Sequence, residues 1–130
     1  MVAFEPMEHR ISADVHRVKE ARDFAADAAA AFGLDADACY SVKLAMSEAV
    51  TNAIKHGSSS PTDVVVITVI EEAGALVFEI MDTGRFRPRV FRGEMPEHGR
   101  GLEFMRALMD DVDLRPTAQG TMLRLTKRPV

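Results

Sequence analysis

The chain has 130 residues, of which 47% are hydrophobic and 28% charged, an ordinary composition for a globular domain. Its 20 acidic and 16 basic residues give a net charge of −4, whereas nucleic-acid-binding domains more often have a basic excess. No apolar segment approaches the roughly 20 residues of a membrane-spanning helix, and residues 1–10 lack the apolar region of a signal peptide. We therefore expect one domain over residues 1–130 in the cytoplasm, without direct contact with nucleic acid or membrane.

The first half of the chain has two segments with helical periodicity. Residues 12–31 predict a first helix, with Ser12 or Asp14 as its N-cap. A second helix is predicted to begin after Asp35 or Asp37 and to continue to about His56, where a glycine and a serine-rich stretch interrupt the pattern.

The second half has the β-branched and aromatic runs that are typical of a sheet. Residues 64–70 and 76–81 predict an antiparallel hairpin that turns at residues 71–74. Residues 83–98 predict a mobile loop because they contain two prolines and two glycines and have little periodicity. The remaining predictions are a third helix over about residues 101–109, a last strand over about 121–127, and short strands near Ile11 and over 112–114.

The second predicted helix has one apolar face and one polar face. Glu48 and Asn52 lie four positions apart on the polar face, one helical turn from each other. A carboxylate can accept a proton from a hydroxyl group, and an amide oxygen is a hard ligand suited to Mg²⁺ beside phosphate oxygens. The pair alone is also typical of a solvated helix face. The apolar arc consists of Met46, Val50, Ala53 and Ile54, whereas Ser41 and Lys55 accompany the polar pair.

Asp82 follows a strand whose alternation predicts a buried face. Leu76 and Ile80 share that face, so Asp82 projects from the same apolar side and needs a partner there. The turn at Gly84 allows backbone to approach a ligand, and Asp82 can accept a hydrogen bond from an adenine amino group; the alternative is a simple turn. Thr121 comes to lie beside Asp82 if the two predicted strands are neighbours.

Gly99 and Gly101 flank Arg100 immediately before a helix that is predicted to begin near Leu102. Free backbone N–H groups at the start of a helix attract anions, and phosphate is the natural anion for such a site. The alternative reading of this segment is a hinge between a loop and a helix.

Four segments occur in a fixed order: EAVTNAIKH at 48–56, DTG at 82–84, GRGL at 99–102 and GT at 120–121. Together they resemble the motifs of the GHKL ATPases, and most closely those of the bacterial anti-sigma factor serine kinases. The resemblance covers about residues 10–127. It implies the Bergerat fold, an α/β (α+β) two-layer sandwich with a mixed, mostly antiparallel sheet and helices on one face. Phe86 stands where the wider family often has a second glycine, which departs from the pattern at the pocket entrance.

The resemblance also implies ATP and Mg²⁺ as cofactors and a role for each motif residue. Glu48 resembles the general base, and Asn52 resembles the magnesium ligand. Asp82 resembles the acceptor of the adenine amino group, with Gly84 as its supporting turn. The other implied nucleotide-binding residues are Gly99, Arg100, Gly101, Leu102 and Thr121.

Members of the family bind a sigma factor and phosphorylate a serine of an anti-anti-sigma antagonist, and they often form homodimers. The resemblance therefore implies a protein-serine kinase that regulates transcription, in a chain with no room for a histidine-bearing dimerisation domain. Two alternatives stay open: a nucleotide-gated partner-binding regulator without kinase turnover, and a degenerate, empty pocket. Four arginines in the 83–98 loop either steer an acidic partner, brace phosphate or are merely solvated: Arg85, Arg87, Arg89 and Arg92.

Overall fold

The computed structural model describes residues 4–57, 62–82, 96–117 and 120–129, and for residues 56–57 and 96–100 it describes the backbone alone. The predicted loop over 83–98 therefore lies mostly outside the described residues, as do Gly84, Phe86 and the four arginines of that loop. None of the helices in the described ranges is long and apolar enough to cross a membrane.

The helices of the first half follow a short strand. Strand β1 covers Met7–Ser12, a single 3-10 turn covers Val15–Arg17, and helix α1 covers Val18–Phe32. The predicted start of the first helix at residue 12 is wrong, because Ser12 pairs in the sheet and the Asp14 side chain accepts a hydrogen bond from the His16 N–H at 2.9 Å. Asp14 therefore caps the 3-10 turn and the α-helix starts four residues later.

Helix α2 covers Ala36–Asn52 and continues into a π-helical turn over Ala53–Gly57. Of the two predicted caps, Asp35 is the one used: its Oδ1 accepts a hydrogen bond from the Ala38 N–H at 2.8 Å. The helix pattern was predicted to run to about His56, but the α-helix ends at Asn52. Turns of π-helix often occur at functional sites, so the end of α2 at Asn52 is a candidate part of the site.

The sheet has five antiparallel strands in the order β1-β2-β3-β5-β4. Strands β2, Val64–Glu72, and β3, Ala75–Asp82, form the predicted hairpin, and its turn consists of Ala73 and Gly74, both with positive φ. This is the geometry of the two-residue turn that matches the twist of a hairpin. The other two strands are β4, Asp111–Thr117, and β5, Gly120–Lys127. The strands predicted near Ile11 and 112–114 are confirmed as β1 and β4.

Helix α3 covers Pro96–Leu108, five residues longer at its N-terminal end than the sequence predicts. Proline is favoured at the first position of a helix because its fixed φ suits the helix and its missing N–H is not needed there. Gly99, Arg100 and Gly101 therefore lie inside α3 rather than before it. The predicted helix start near Leu102 is wrong.

The helices cover one face of the sheet, and the core lies between the two layers. Helix α1 packs along α2, and its small residues, such as Ala21 and Ala25, are completely buried. Phe78 and Ile80 of β3 and Leu125 of β5 supply the larger side chains on the sheet side. The predicted two-layer sandwich is confirmed, and every strand pair within the described ranges is antiparallel.

Candidate functional site

Glu48 and Asn52 lie where α2 meets α3, and both side chains are half-buried. The opposite side of α2 is buried: no more than 1% of the surface is exposed at Val42, Met46 and Val50. The helix thus directs its Glu48–Asn52 face to the neighbouring helix instead of to open solvent. A solvated surface face, the alternative reading of this pair, does not describe it.

The backbone of Gly101 lies directly against the two side chains. A methyl group built on Gly101 would lie 2.6 Å from Nδ2 of Asn52 and 2.8 Å from Oε1 of Glu48. Contacts shorter than 3.0 Å are essentially never made by real Cβ atoms, so glycine is required for this approach. The structure therefore brings Glu48, Asn52 and Gly101 together, although they are about fifty residues apart in the chain.

Asn52 has an unsatisfied polar atom at this contact. Its Nδ2 is buried and has no hydrogen-bond partner in the described part of the chain. A buried polar group without a partner costs about 1–3 kcal/mol, and such groups call for an explanation such as a bound ligand or ion. A half-turn of the carboxamide exchanges its nitrogen and oxygen, so the same position can present either a donor or an acceptor.

Asp82 is the only polar or charged residue that is buried within the described ranges, with 2% of its surface exposed. It ends β3 on the same face as Phe78 and Ile80, as the alternation predicts. The β3–β5 register pairs Met81 with Met122, so the next position along the two strands places Asp82 opposite Thr121. The prediction that these two strands are neighbours in the sheet is confirmed.

The π-helical turn links the Glu48–Asn52 pair to the strands of Asp82 and Thr121. Residues 53–57 follow Asn52 directly and contact both β3 and β5, the strands that end in Asp82 and begin near Thr121. One short turn therefore joins the Glu48–Asn52 pair to the sheet strands that bear the buried carboxylate. The described side chains of this region are oxygen-rich, which suits a ligand that donates hydrogen bonds or is bound through a hard cation.

The remaining predicted site residues differ in their burial and in how much of each residue the structure describes. Leu102 is half-buried and packs against the hydrophobic core. Only the backbone of Gly99 and Arg100 is described, and both residues lie near the N-terminal end of α3. Gly84 lies outside the described residues. The anion-binding N–H groups expected at Gly99 and Gly101 stay a prediction.

Two contributions to the site were not predicted from the sequence. The π-helical turn has no signature in the residue pattern, since alanine and isoleucine at these positions also suit an α-helix. The C-terminal end of α3 is held by Lys127 of β5, whose Nζ donates to the Leu108 carbonyl at 2.8 Å. A cation at the C-terminal end of a helix also interacts favourably with the helix dipole. The contact holds the helix that bears Gly101 against the sheet.

Comparisons with known proteins identify related domains. Residues 11–127 match the family model described as the histidine kinase-like ATPase domain. The anti-sigma F factor of Bacillus cytotoxicus is 35% identical over 97 residues, which is 66% of this chain and 66% of that protein. The anti-sigma F factor of Clostridium acetobutylicum is 32% identical over 97 residues, covering 67% of this chain and 68% of that protein.

Two solved structures are similar in fold. The RsbU and RsbW domains of a Mycobacterium tuberculosis protein superpose with a TM-score of 0.73 at 22% identity, covering 95% of this chain and 32% of that chain. This chain therefore spans about a third of that longer one. The nucleotide-free catalytic domain of the histidine kinase ThkA gives a TM-score of 0.57 at 13% identity, covering 95% and 99%. The resemblance to the GHKL ATPases and the anti-sigma factors is confirmed, and the chain belongs to the histidine kinase-like ATPase domain family.

Proposed function

We propose that this protein binds ATP with Mg²⁺ and acts as an anti-sigma regulatory factor. It binds a sigma factor and phosphorylates a serine of an anti-anti-sigma antagonist. Family membership and the names of the relatives support the regulatory class. The observation that carries the catalytic part is the contact of Glu48 and Asn52 with the Gly101 backbone, which leaves a buried carboxamide nitrogen without a partner.

The adenine end of the nucleotide is assigned to Asp82 and Thr121. Asp82 has a buried carboxylate at the end of β3, and a carboxylate oxygen can accept a hydrogen bond from an amino group. Thr121 offers a hydroxyl group on the opposite strand, which can either donate or accept a hydrogen bond. These two groups recognise a base that carries an exocyclic amino group. The sequence assigns Gly84, which lies outside the described residues, to the support of this end of the site.

The phosphate end is assigned to Asn52 and to the first turns of α3. No set of three or more histidine, cysteine or acidic side chains in the described ranges could hold a metal by itself. That suits Mg²⁺, which usually takes one or two protein ligands and completes its shell with phosphate oxygens and water. Asn52 would hold the ion through its amide oxygen, and the ion would supply charge neutralisation at the phosphates. Gly99, Arg100, Gly101 and Leu102 would border the phosphates.

Glu48 acts as the general base in this proposal. Its carboxylate takes the proton from the serine hydroxyl of the protein substrate, whose oxygen then forms a bond with the γ-phosphorus. The bond between that phosphorus and the β–γ bridging oxygen breaks, and ADP leaves with the bond's electron pair. Gly101 positions the carboxylate because its bare Cα allows α3 to pack against Oε1 of Glu48.

Glu48→Gln tests this assignment. A positioned general base contributes roughly 10²- to 10⁴-fold, so we expect phosphotransfer to fall by that factor while the affinity for ATP stays close to that of the wild type. The assay follows transfer from labelled ATP to the anti-anti-sigma protein encoded in the same genome, beside an isothermal titration with ATP. Glu71→Gln is the matched control because Glu71 is an exposed glutamate at the far end of β2.

The two outcomes separate the kinase from the alternative. If Glu48→Gln transfers phosphate at the wild-type rate, Glu48 is not the base. If the wild-type protein binds ATP but transfers nothing in a single-turnover reaction, the protein is a nucleotide-gated regulator without kinase activity.

A further inference from the structure

The C-terminal end of α3 is tied to β5 by three hydrogen bonds, which together form the α3–β5 clamp. Nζ of Lys127 donates to the Leu108 carbonyl at 2.8 Å. Just beyond the helix, the Asp110 N–H donates to the Thr126 carbonyl at 2.9 Å, and Oδ2 of Asp110 accepts a hydrogen bond from the Arg128 N–H at 2.6 Å. Thr126, Lys127 and Arg128 are consecutive, so the end of one strand holds the end of one helix.

The clamp fixes the tilt of α3 more sharply than the packing of its apolar side chains does. Met105 and Met109 are buried in the core, but hydrophobic burial is non-directional. Hydrogen bonds have a preferred length and angle, and the last four carbonyl groups of a helix have no partner within the helix. Lys127 is half-buried and supplies one such partner, together with a positive charge at the negative end of the helix dipole.

The clamp lies about two helical turns from the contact between α3 and the site. Leu108 and Gly101 are seven residues apart, so they lie on the same side of α3, about 10 Å from each other along its axis. The Gly101 backbone packs against Nδ2 of Asn52 and Oε1 of Glu48. A tilt of α3 by about 5° about its clamped end would move Gly101 by about 1 Å. A small change at the clamp is therefore enough to disturb this contact.

We propose that Lys127 is a positioning residue for phosphotransfer, because its bond to the end of α3 holds the Gly101 backbone against Glu48 and Asn52. This inference rests on the proposed kinase function. Lys127 acts through the position of α3 and not by contact with the reacting atoms. Strand β5 carries Lys127 at one end and Thr121 near the other, so the clamp also sets the phosphate end of the site relative to the adenine end.

The first test compares two substitutions of Lys127 in phosphotransfer to the purified anti-anti-sigma protein encoded in the same genome. Lys127→Met keeps an unbranched stem but removes the donor and the charge. A misplacement of about 1 Å costs about 10²-fold in rate, so we expect kcat to fall about tenfold or more. Lys127→Arg keeps a cationic donor and should retain most of the wild-type kcat.

Lys19→Met is the matched control. It removes an exposed ion pair with Asp23 on α1, where Nζ lies 2.8 Å from the carboxylate, and should leave kcat unchanged. Thermal unfolding of each variant shows that the fold is intact at the assay temperature. Amide hydrogen exchange over residues 101–108 should be faster in Lys127→Met than in the wild type, whereas exchange in α1 should be the same.

A double variant tests whether Lys127 acts through Gly101. Losses from independent sites multiply, whereas losses that act through one contact do not. In the Gly101→Ala protein the methyl group already displaces the tips of Glu48 and Asn52. Adding Lys127→Met should therefore lower kcat much less in that protein than in the wild type.

The outcomes separate this inference from the proposed function. If the wild-type protein transfers no phosphate, the proposed function fails and this inference fails with it. If the wild type transfers phosphate and Lys127→Met has the same kcat, the positioning role alone is refuted. It is also refuted if Lys127→Arg is as slow as Lys127→Met, or if the two losses in the double variant multiply.

Discussion

The substitution Gly101→Ala is expected to lower phosphotransfer without lowering the stability of the protein. Alanine stabilises a helix interior by about 0.5–1 kcal/mol relative to glycine, and Gly101 lies within α3 with a backbone that any residue can adopt. The new methyl group, however, would lie 2.6 Å from Nδ2 of Asn52 and 2.8 Å from Oε1 of Glu48. Both atoms are the tips of side chains, so they can move without unfolding the protein.

The displacement needed to restore ordinary contact is about 0.6–0.8 Å at these two atoms. A misplacement of about 1 Å in a catalytic arrangement costs about 10²-fold in rate, so we expect phosphotransfer to fall by about 10- to 100-fold. The affinity for ATP with Mg²⁺ should fall as well, since Asn52 is one of the displaced groups. The melting temperature should stay the same or rise.

Single-turnover phosphotransfer, ATP titration and thermal unfolding of the same preparation measure these effects. Ala107→Gly is the control because Ala107 is exposed on α3, so the change should destabilise the helix by about 1 kcal/mol and leave phosphotransfer unaffected. A Gly101→Ala protein with wild-type transfer and ATP affinity would refute the view that the close contact positions Glu48 and Asn52.

Three further predictions address the nucleotide, the hairpin and the acid stability. Asp82→Asn should reduce the preference for ATP over inosine triphosphate, which lacks the amino group, by about tenfold or more, as measured by competitive titration. Ala73→Asn should raise the free energy of unfolding by about 0.5–1 kcal/mol, because alanine is strained at φ 53° whereas asparagine tolerates that region; urea denaturation measures the change. The pKa of Glu20 is lowered by hydrogen bonds from Arg17 and then His9, so its stabilising contribution is present above the ordinary value of 4.5 and is lost as the pH falls below it. Denaturation at several pH values should show the wild type and Glu20→Gln converging in acid.

Sequence patterns predicted the elements whose information is local. The hairpin follows from two β-branched runs around a glycine turn, and α2 follows from the Asp35 cap and an apolar stripe. The alternation in β3 placed Asp82 on the buried face, and the burial of Phe78 and Ile80 confirms that face. These features depend on residues within a few positions of one another.

Features that depend on distant residues were not predictable in the same way. Residues 7–12 become a strand because they pair with β2, more than fifty residues later in the chain. The start of α3 at Pro96 was missed because proline among residues of weak periodicity is equally typical of a loop. The close packing of Gly101 on Glu48 depends on how α3 lies along α2. The order of the four motifs was nevertheless enough to indicate the family.

Isothermal titration of the protein with ATP in the presence of Mg²⁺ decides whether this pocket binds the nucleotide. We expect a single saturable binding event that is weakened by Asn52→Ala and by Asp82→Asn, with the fold of each variant checked by circular dichroism. A flat titration of the folded wild-type protein would contradict the claim. So would ATP binding that neither substitution changes.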